Sequence, residues 1–292
     1  MKNAKDKDRL QVAKTYKLYL GGAFPRTESG RTIKVTDAKG NLLANACRAS
    51  RKDCREAVVA ARGACRGWAA RSGYNRGQIL YRAAEMLEGR SEQFTEELRS
   101  SGATSAQARR EVAASVDRLV HYAGWADKYQ QVFGTVNPVA SSHFNFSLPE
   151  ATGVVVIIAS RDAPLLGLAS MVAPAIAGGN TAVCLASESF PLSAITFGEV
   201  LHASDLPGGV VNLLTGQRDE LIPPLSSHMD VNALVHVDLD DKERKQVEED
   251  AALNLKRIIR RKPSNWFSDE VDGPYPILDL QEIKTTWHPI GQ

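Results

Sequence analysis

The chain has 292 residues, 43% hydrophobic and 24% charged, with a formal net charge of +2 at pH 7. That is the composition of a soluble globular protein of one large domain or two smaller ones, with ample residues for a buried core. The charge is too small to support a nucleic acid or an acidic surface as partner, and no run approaches the roughly 18 apolar residues of a membrane span.

Residues 1–14, "MKNAKDKDRLQVAK", read as a solvated, disordered tail that lacks the apolar stretch of a secretory signal. Met1 ahead of this charged stretch favours a natural start. The segment from Tyr16 to Ser50 alternates like short strands and hairpins, broken at Gly21–Gly22 and Gly40–Asn41. Three amphipathic helices are predicted next. The first has Ser50 or Asp53 as cap and Ala57, Val58, Ala61, Cys65 and Trp68 on one face. The second runs from Tyr74 to a stop at Gly102, with Ile79, Leu80, Ala83, Leu87, Phe94 and Leu98 inward. The third spans "AQARREVAASVDRLVHYAGWADKYQQ".

From about residue 150 the texture changes. "GVVVIIA", "TAVCLAS", "VVNLLTG" and "ALVHVDL" are short β-rich runs, and "LLGLASMVAPAIAGG", "PLSAITFGEVLHAS", "DELIPPLSS" and "KERKQVEEDAALNLKRII" between and after them are helical in pattern. Such alternation predicts an α/β fold with a doubly wound, Rossmann-like parallel sheet under helical wrapping, whose ligands sit at the carboxyl ends of the strands. The loop after the first run, with Arg161 beside Asp162, occupies one such end and reads as an exposed charge pair at the surface. After Arg261 the alternation gives way to the turn-rich "KPSNWFSDEVDGPYP" and one last strand, "ILDLQEIKTTWHPIGQ", too isolated to form a sheet alone. No internal repeat or low-complexity segment is present. Cys47, Cys54, Cys65 and Cys184 have no metal-like spacing, and six histidines complete no ligand pattern, so no metal site is expected. Reduced, mostly buried thiols in a cytoplasmic protein are the reading.

"LYLGGAFPRTESGR", "APAIAGGNTAV", "SESFPLSA", "LPGGVVNLLTG" and "AALNLKR" stand in the order and spacing of NAD(P)-dependent aldehyde dehydrogenases. The chain resembles that family from about residue 16 to 258 and again at "EIKTTWHPIG". The closest look-alike is the non-catalytic second module of two-module aldehyde dehydrogenases. The resemblance divides the chain into the tail (1–14), strands and helices of a dinucleotide-binding-like domain (15–140), an oligomerisation ribbon strand (141–152), a Rossmann-like domain (153–262), a linker (263–276) and a closing oligomerisation strand (277–292).

It also implies losses. In the family the general-base glutamate follows the "NLKR" helix, but here Arg257 leads into "IIRRKPSNW". The catalytic domain that carries the cysteine nucleophile is absent, since only residues 257–283 separate Lys256 from Lys284. All four cysteines precede position 185, and without thiolate or base there is no covalent acyl transfer of this type. The family's Pro-Trp-Asn-Phe-Pro falls on Ser160 to Pro164, which puts the acceptor-only Asp162 in place of the oxyanion-binding Asn. Losing one such donor costs on the order of 100- to 1000-fold in rate. The ribose-holding Lys-Pro-Ser-Glu appears as Leu185-Ala186-Ser187-Glu188. The pyrophosphate turn Phe-Thr-Gly-Ser-Thr appears as Val237-Asp238-Leu239-Asp240-Asp241, where one aspartate is placed to cap the helix in the anion's stead with Glu243 in its first turn. Residual cofactor contacts would fall to Ile158, Ser187, Glu188 and Gly216. No bound cofactor is expected, and NAD(P), if taken, binds weakly.

What remains is the docking ribbon, with Phe144, Phe146, Leu148, Ile283 and Trp287 as apolar contacts, either to a neighbouring subunit or to this chain's own core. Three readings follow. The first is a non-catalytic pseudoenzyme with a structural, oligomerising or regulatory role, pairing with itself as a dimer or with a full-length aldehyde dehydrogenase. The second is a residual NAD(P)-binding module. The third is an accessory subunit of an active aldehyde oxidoreductase, completed by a partner's residues.

Overall fold

The first elements in the computed structural model, which describes residues 12–37, 39–263 and 265–291, form a three-stranded sheet. Its strands β1 (Thr15–Tyr16), β2 (Thr32–Thr36) and β3 (Leu42–Cys47) lie in the order β1-β3-β2. Most of the expected tail, residues 1–11, lies outside the described residues.

Helix α1 (Arg51–Ala69) uses both predicted caps at once. The Ser50 side chain accepts the Asp53 N–H, and the Asp53 carboxylate accepts the Ser50 N–H. Ala57, Val58, Ala61 and Trp68 are buried, with Cys65 half-buried. The second expected helix is two, α2 (Gly73–Glu88) and α3 (Ser91–Ser100), although all six of its predicted inward residues are buried. The N–H groups of Gly89 and Arg90 bond back to Glu85 and Leu87, so the chain tightens, turns and restarts on the same apolar face. The third stops at Trp125 as α4 (Ser105–Trp125), and the rest becomes the short α5 (Tyr129–Phe133).

Strands β4 (Thr135–Asn137) and β5 (His143–Ala151) follow. The alternating region then gives β6 (Val154–Ile158), α6 (Leu166–Ala177), β7 (Thr181–Leu185), α7 (Leu192–His202), β8 (Val211–Leu214), α8 (Arg218–Ser226), β9 (Ala233–His236), α9 (Asp241–Ala252) and β10 (Arg257–Arg260). These five strands are all parallel, in the order β10-β9-β6-β7-β8. Strands β6 to β9 are buried at every residue, as β-branched runs covered on both faces should be. Alternate β6 residues serve two cores. Val155 and Ile157 pack with Leu119, Leu168 and Phe197, and Val154 and Val156 pack with Val58, Leu221 and Val247.

Strand β10 corrects the sequence reading, which ran the last helix through Ile259. Helix α9 ends at Ala252, and Leu255 takes the left-handed conformation (φ 57°) that reverses the chain. The β-branched pair Ile258–Ile259 then finds ladder partners along β9. The sheet edge outweighs local helical pattern.

Beyond β10 the chain crosses α4 and α6 through a short 3₁₀ turn (Asp269–Val271) and α10 (Tyr275–Leu278) to β11 (Gln281–Pro289). Strand β11 pairs antiparallel with β5 along its whole length, giving a third sheet in the order β11-β5-β4. Buried amides fix its root. Asn180 donates to the Leu280 carbonyl at 3.0 Å, and Gln281 donates to Gly178 at 3.1 Å. Among the described residues, no helix is long and apolar enough to cross a membrane.

Candidate functional site

The order of the parallel sheet reverses between β6 and β9, which opens a crevice outside their carboxyl ends, where ligands of doubly wound sheets sit. Its walls are the loop from Ala159 to Leu165, the loop from Val237 to Asp240 and the start of α8.

Arg218, the first residue of α8, fills this crevice and is only 2% exposed. Its Nη2 donates to the Ala159 carbonyl at 2.6 Å and to Asp238 Oδ1 at 2.7 Å. Asp238 Oδ2 accepts the backbone N–H of Arg161 at 2.7 Å. Glu243 completes the group, 4.0 Å from Arg218 Nη1 and 3.7 Å from Arg161 Nη2. Two cations and two carboxylates from one chain thus tie the loops after β6 and β9 to α8.

The bare N–H groups of helix N-termini are the natural anion seats at such an edge. Here each nearby helix start receives a carboxylate of this chain. Glu111, reaching from α4, accepts the N–H groups of Leu165 and Leu166 at 3.0 and 3.2 Å at the head of α6. Burial pushes its carboxyl up, against the pull of those two bonds. Glu188 accepts the Arg218 N–H at 3.2 Å at the head of α8. Asp240 caps α9, accepting the Glu243 N–H at 2.8 Å while Glu243 Oε2 accepts the Asp240 N–H at 3.0 Å. The expected capping of this helix by an aspartate is thus observed, in full capping-box form.

The structure places the remaining sequence candidates as follows. Asp162 is exposed, with its N–H bonded to Ser160 Oγ at 3.2 Å. Arg161, also exposed, donates its backbone N–H to the Asp238 carboxylate and places its guanidinium 3.7 Å from Glu243. Ile158 is buried at the end of β6, and Ser187 is buried with a hydroxyl that has no hydrogen-bond partner. Gly216 is a packing glycine, since a Cβ there would come within 2.6 Å of Leu221 Cδ1 and 3.4 Å of the Ala49 nitrogen. Burial pushes Cys54 up to about 12 and pushes Cys184 higher than its ordinary value as well. Among the described residues, no His, Cys, Asp and Glu cluster could hold a metal ion.

A diphosphate placed in this crevice would meet the carboxylates of Asp238 and Glu243, to which Arg218 is already committed. One charge pair at 4 Å with an effective dielectric near 20 is worth roughly 4 kcal/mol before screening, and micromolar binding totals only about 8 kcal/mol.

The five apolar ribbon residues do not form one surface. Residues directly opposite in a ladder share a face. Phe144, Phe146 and Leu148 oppose His288, Thr286 and Lys284, whereas Trp287 and Ile283 oppose Asn145 and Pro149 on the other side. Phe144, Leu148, Ile283 and Trp287 are 45%, 40%, 55% and 57% exposed, so both faces present apolar side chains to solvent.

Sequence reasoning missed Arg218 and Glu111. The only local signal for Arg218 is a cation directly after the "LLTGQ" turn, and nothing around Glu111 separates it from the solvated carboxylates of its helix.

The model of the aldehyde dehydrogenase family matches residues 24–260. The chain is 29% identical over 290 residues to the mitochondrial 10-formyltetrahydrofolate dehydrogenase of Homo sapiens, across 96% of this chain and 30% of that protein. It is 33% identical over 246 residues to an aldehyde dehydrogenase of Agaricus bisporus, across 82% of this chain and 49% of the other. Among solved structures, the NAD+ complex of an aldehyde dehydrogenase from Bacillus cereus superposes with a TM-score of 0.80 at 25% identity, over 85% of this chain and 50% of that one. The chain spans about half, or less, of the length of these relatives.

Proposed function

The chain belongs to the aldehyde dehydrogenase family, and we propose that within it this protein is a non-catalytic subunit whose role is assembly or regulation. The observation that carries this reading is the crevice itself, where Arg218, Asp238, Arg161 and Glu243 pair with one another at the place a cofactor would take. Burial pushes the thiols of Cys54 and Cys184 up, away from the thiolate form. The partner is a second copy or a full-length aldehyde dehydrogenase, met through the third sheet, whose long strand β11 pairs only with β5 among the described residues and leaves its outer edge to another strand. The four free cysteines accord with a reducing compartment such as the cytoplasm.

A second reading, residual NAD(P) binding, draws on the partnerless hydroxyl of Ser187 beside Glu188. It requires Arg218 to leave its carboxylates.

The test is the native mass and composition of the tagged protein isolated from its source cells. A full-length aldehyde dehydrogenase in fixed ratio, or a defined homodimer, is the expected result. A lone monomer that oxidises an aldehyde with NAD would overturn the proposal.

A further inference from the structure

Arg218 opens helix α8 in the crevice, and a second feature lies at the opposite end of that nine-residue helix. A cavity of about 720 Å³ is set there between the first turns of α1 and the loop that follows α8. Arg51, Lys52 and Arg55 line it from α1, and Pro224, His228 and Met229 line it from the end of α8 and its loop.

The loop is held from two sides. Arg62, further along α1, donates to the Asp230 carbonyl and to Asn232 Oδ1, the latter at 2.6 Å. Asn254, beyond α9, donates to the carbonyls of Met229 and Val231 at 2.9 and 3.3 Å. His228 Nδ1 accepts the Asp230 N–H at 3.2 Å, so the neutral ring carries its proton on Nε2.

The lining is cationic and uncompensated. Among the described residues no acidic side chain lines the cavity. Arg51 and Arg55 are exposed, and neither side chain has a carboxylate or hydrogen-bond partner among those residues. Lys52 lies 3.6 Å from Glu28, an exposed pair of little energy. Burial pushes the His228 imidazole below its ordinary value; Asp230 pulls it up, and Lys256, Arg55 and Arg62 push it further down. The head of α1 carries its Ser50–Asp53 capping box, so the attraction for an anion rests on these side chains.

We propose that this cavity binds a compact soluble anion bearing two phosphoryl groups, held by Arg51, Lys52, Arg55 and His228 above an apolar floor of Pro224 and Met229. Guanidinium groups grip phosphoryl oxygens in pairs, and an ammonium adds a point charge. Three fixed cations in a cavity of this size exceed what one phosphate dianion uses and match two. A dinucleotide does not qualify, because its bridging phosphates are singly charged diesters flanked by bulky nucleosides. The site shares no residue with the crevice, so it stands or falls separately from the assigned role.

The experiment titrates the intact protein with inorganic pyrophosphate, orthophosphate and sulfate in magnesium-free buffer, followed by calorimetry. Pyrophosphate is expected to bind saturably at one submillimolar site, with orthophosphate and sulfate each at least tenfold weaker. NAD+ should not displace it. The double variant Arg51→Gln/Arg55→Gln alters two exposed side chains, and its fold is checked by circular dichroism. It should weaken pyrophosphate at least tenfold. Lys17→Gln/Lys34→Gln, which removes the same charge from exposed positions elsewhere, should leave the affinity unchanged. No saturable pyrophosphate binding below about 10 mM would overturn the proposal, as would equal binding of orthophosphate or displacement by NAD+. So would equal affinity in the wild type and the arginine variant, or an equal loss in the lysine variant.

Discussion

The guanidinium of Arg218 lies 2.7 Å from the carboxylate of Asp238, across the point where the strand order of the central sheet reverses. The two residues come from different βα connections, so their pairing joins the two halves of the doubly wound sheet where a ligand would otherwise join them. The same Arg218 draws Glu188 to its backbone N–H at 3.2 Å. The carboxylate that the family resemblance would assign to a ribose is here occupied by a helix end.

Arg218→Ala should therefore destabilise the protein by about 3 kcal/mol, because it leaves Asp238 and Glu243 close together without their buried cation. Replacing both members, Arg218→Met with Asp238→Leu, should cost clearly less than the sum of the single changes. Urea unfolding of the four proteins measures the coupling, and strict additivity would remove the pair from the account.

His236 closes β9 and is 2% exposed, and burial, reinforced by the Arg260 charge, pushes it down to about 4. Between that value and the ordinary one near 6.5, the unfolded chain binds the proton and the folded chain does not, so stability falls as pH drops through this window. The urea midpoint of the wild type should decline from pH 7 to pH 5. That part of the decline should vanish in His236→Gln, and an identical pH profile in the variant would contradict the assignment.

The two faces of the third sheet can be separated in assembly. Ile283→Lys with Trp287→Lys charges one face, and Phe144→Lys with Leu148→Lys charges the other. All four side chains are exposed, so each variant should keep its melting temperature within a few degrees. The pair that lies on the docking face should shift the native mass to monomer. If neither pair changes the mass, the sheet is not the contact.

The layered architecture was legible because its cause is repetitive. Runs such as Val154–Ile158 must be covered on both faces, and helical periods between them leave few topologies. Strand β10 was not legible, since Arg257–Arg260 follows a helical pattern without a breaker and becomes strand only when β9 offers its edge. The crevice was half legible. Asp240 and Glu243 form a capping pattern that sequence alone reveals, whereas Arg218 and Glu111 touch groups 20 to 59 residues away along the chain. The apolar ribbon residues were visible as an alternation, but their division between two faces needs the register of β11 against β5.

The most direct test of the account is a titration of the purified protein with NAD+ and NADP+, followed by calorimetry and melting temperature. A crevice filled by Arg218, Asp238, Arg161 and Glu243 predicts no saturable heat and no shift in melting at millimolar dinucleotide. A saturable site of micromolar dissociation constant, with about 2.7 kcal/mol of added stability at one hundred times that constant, would contradict it.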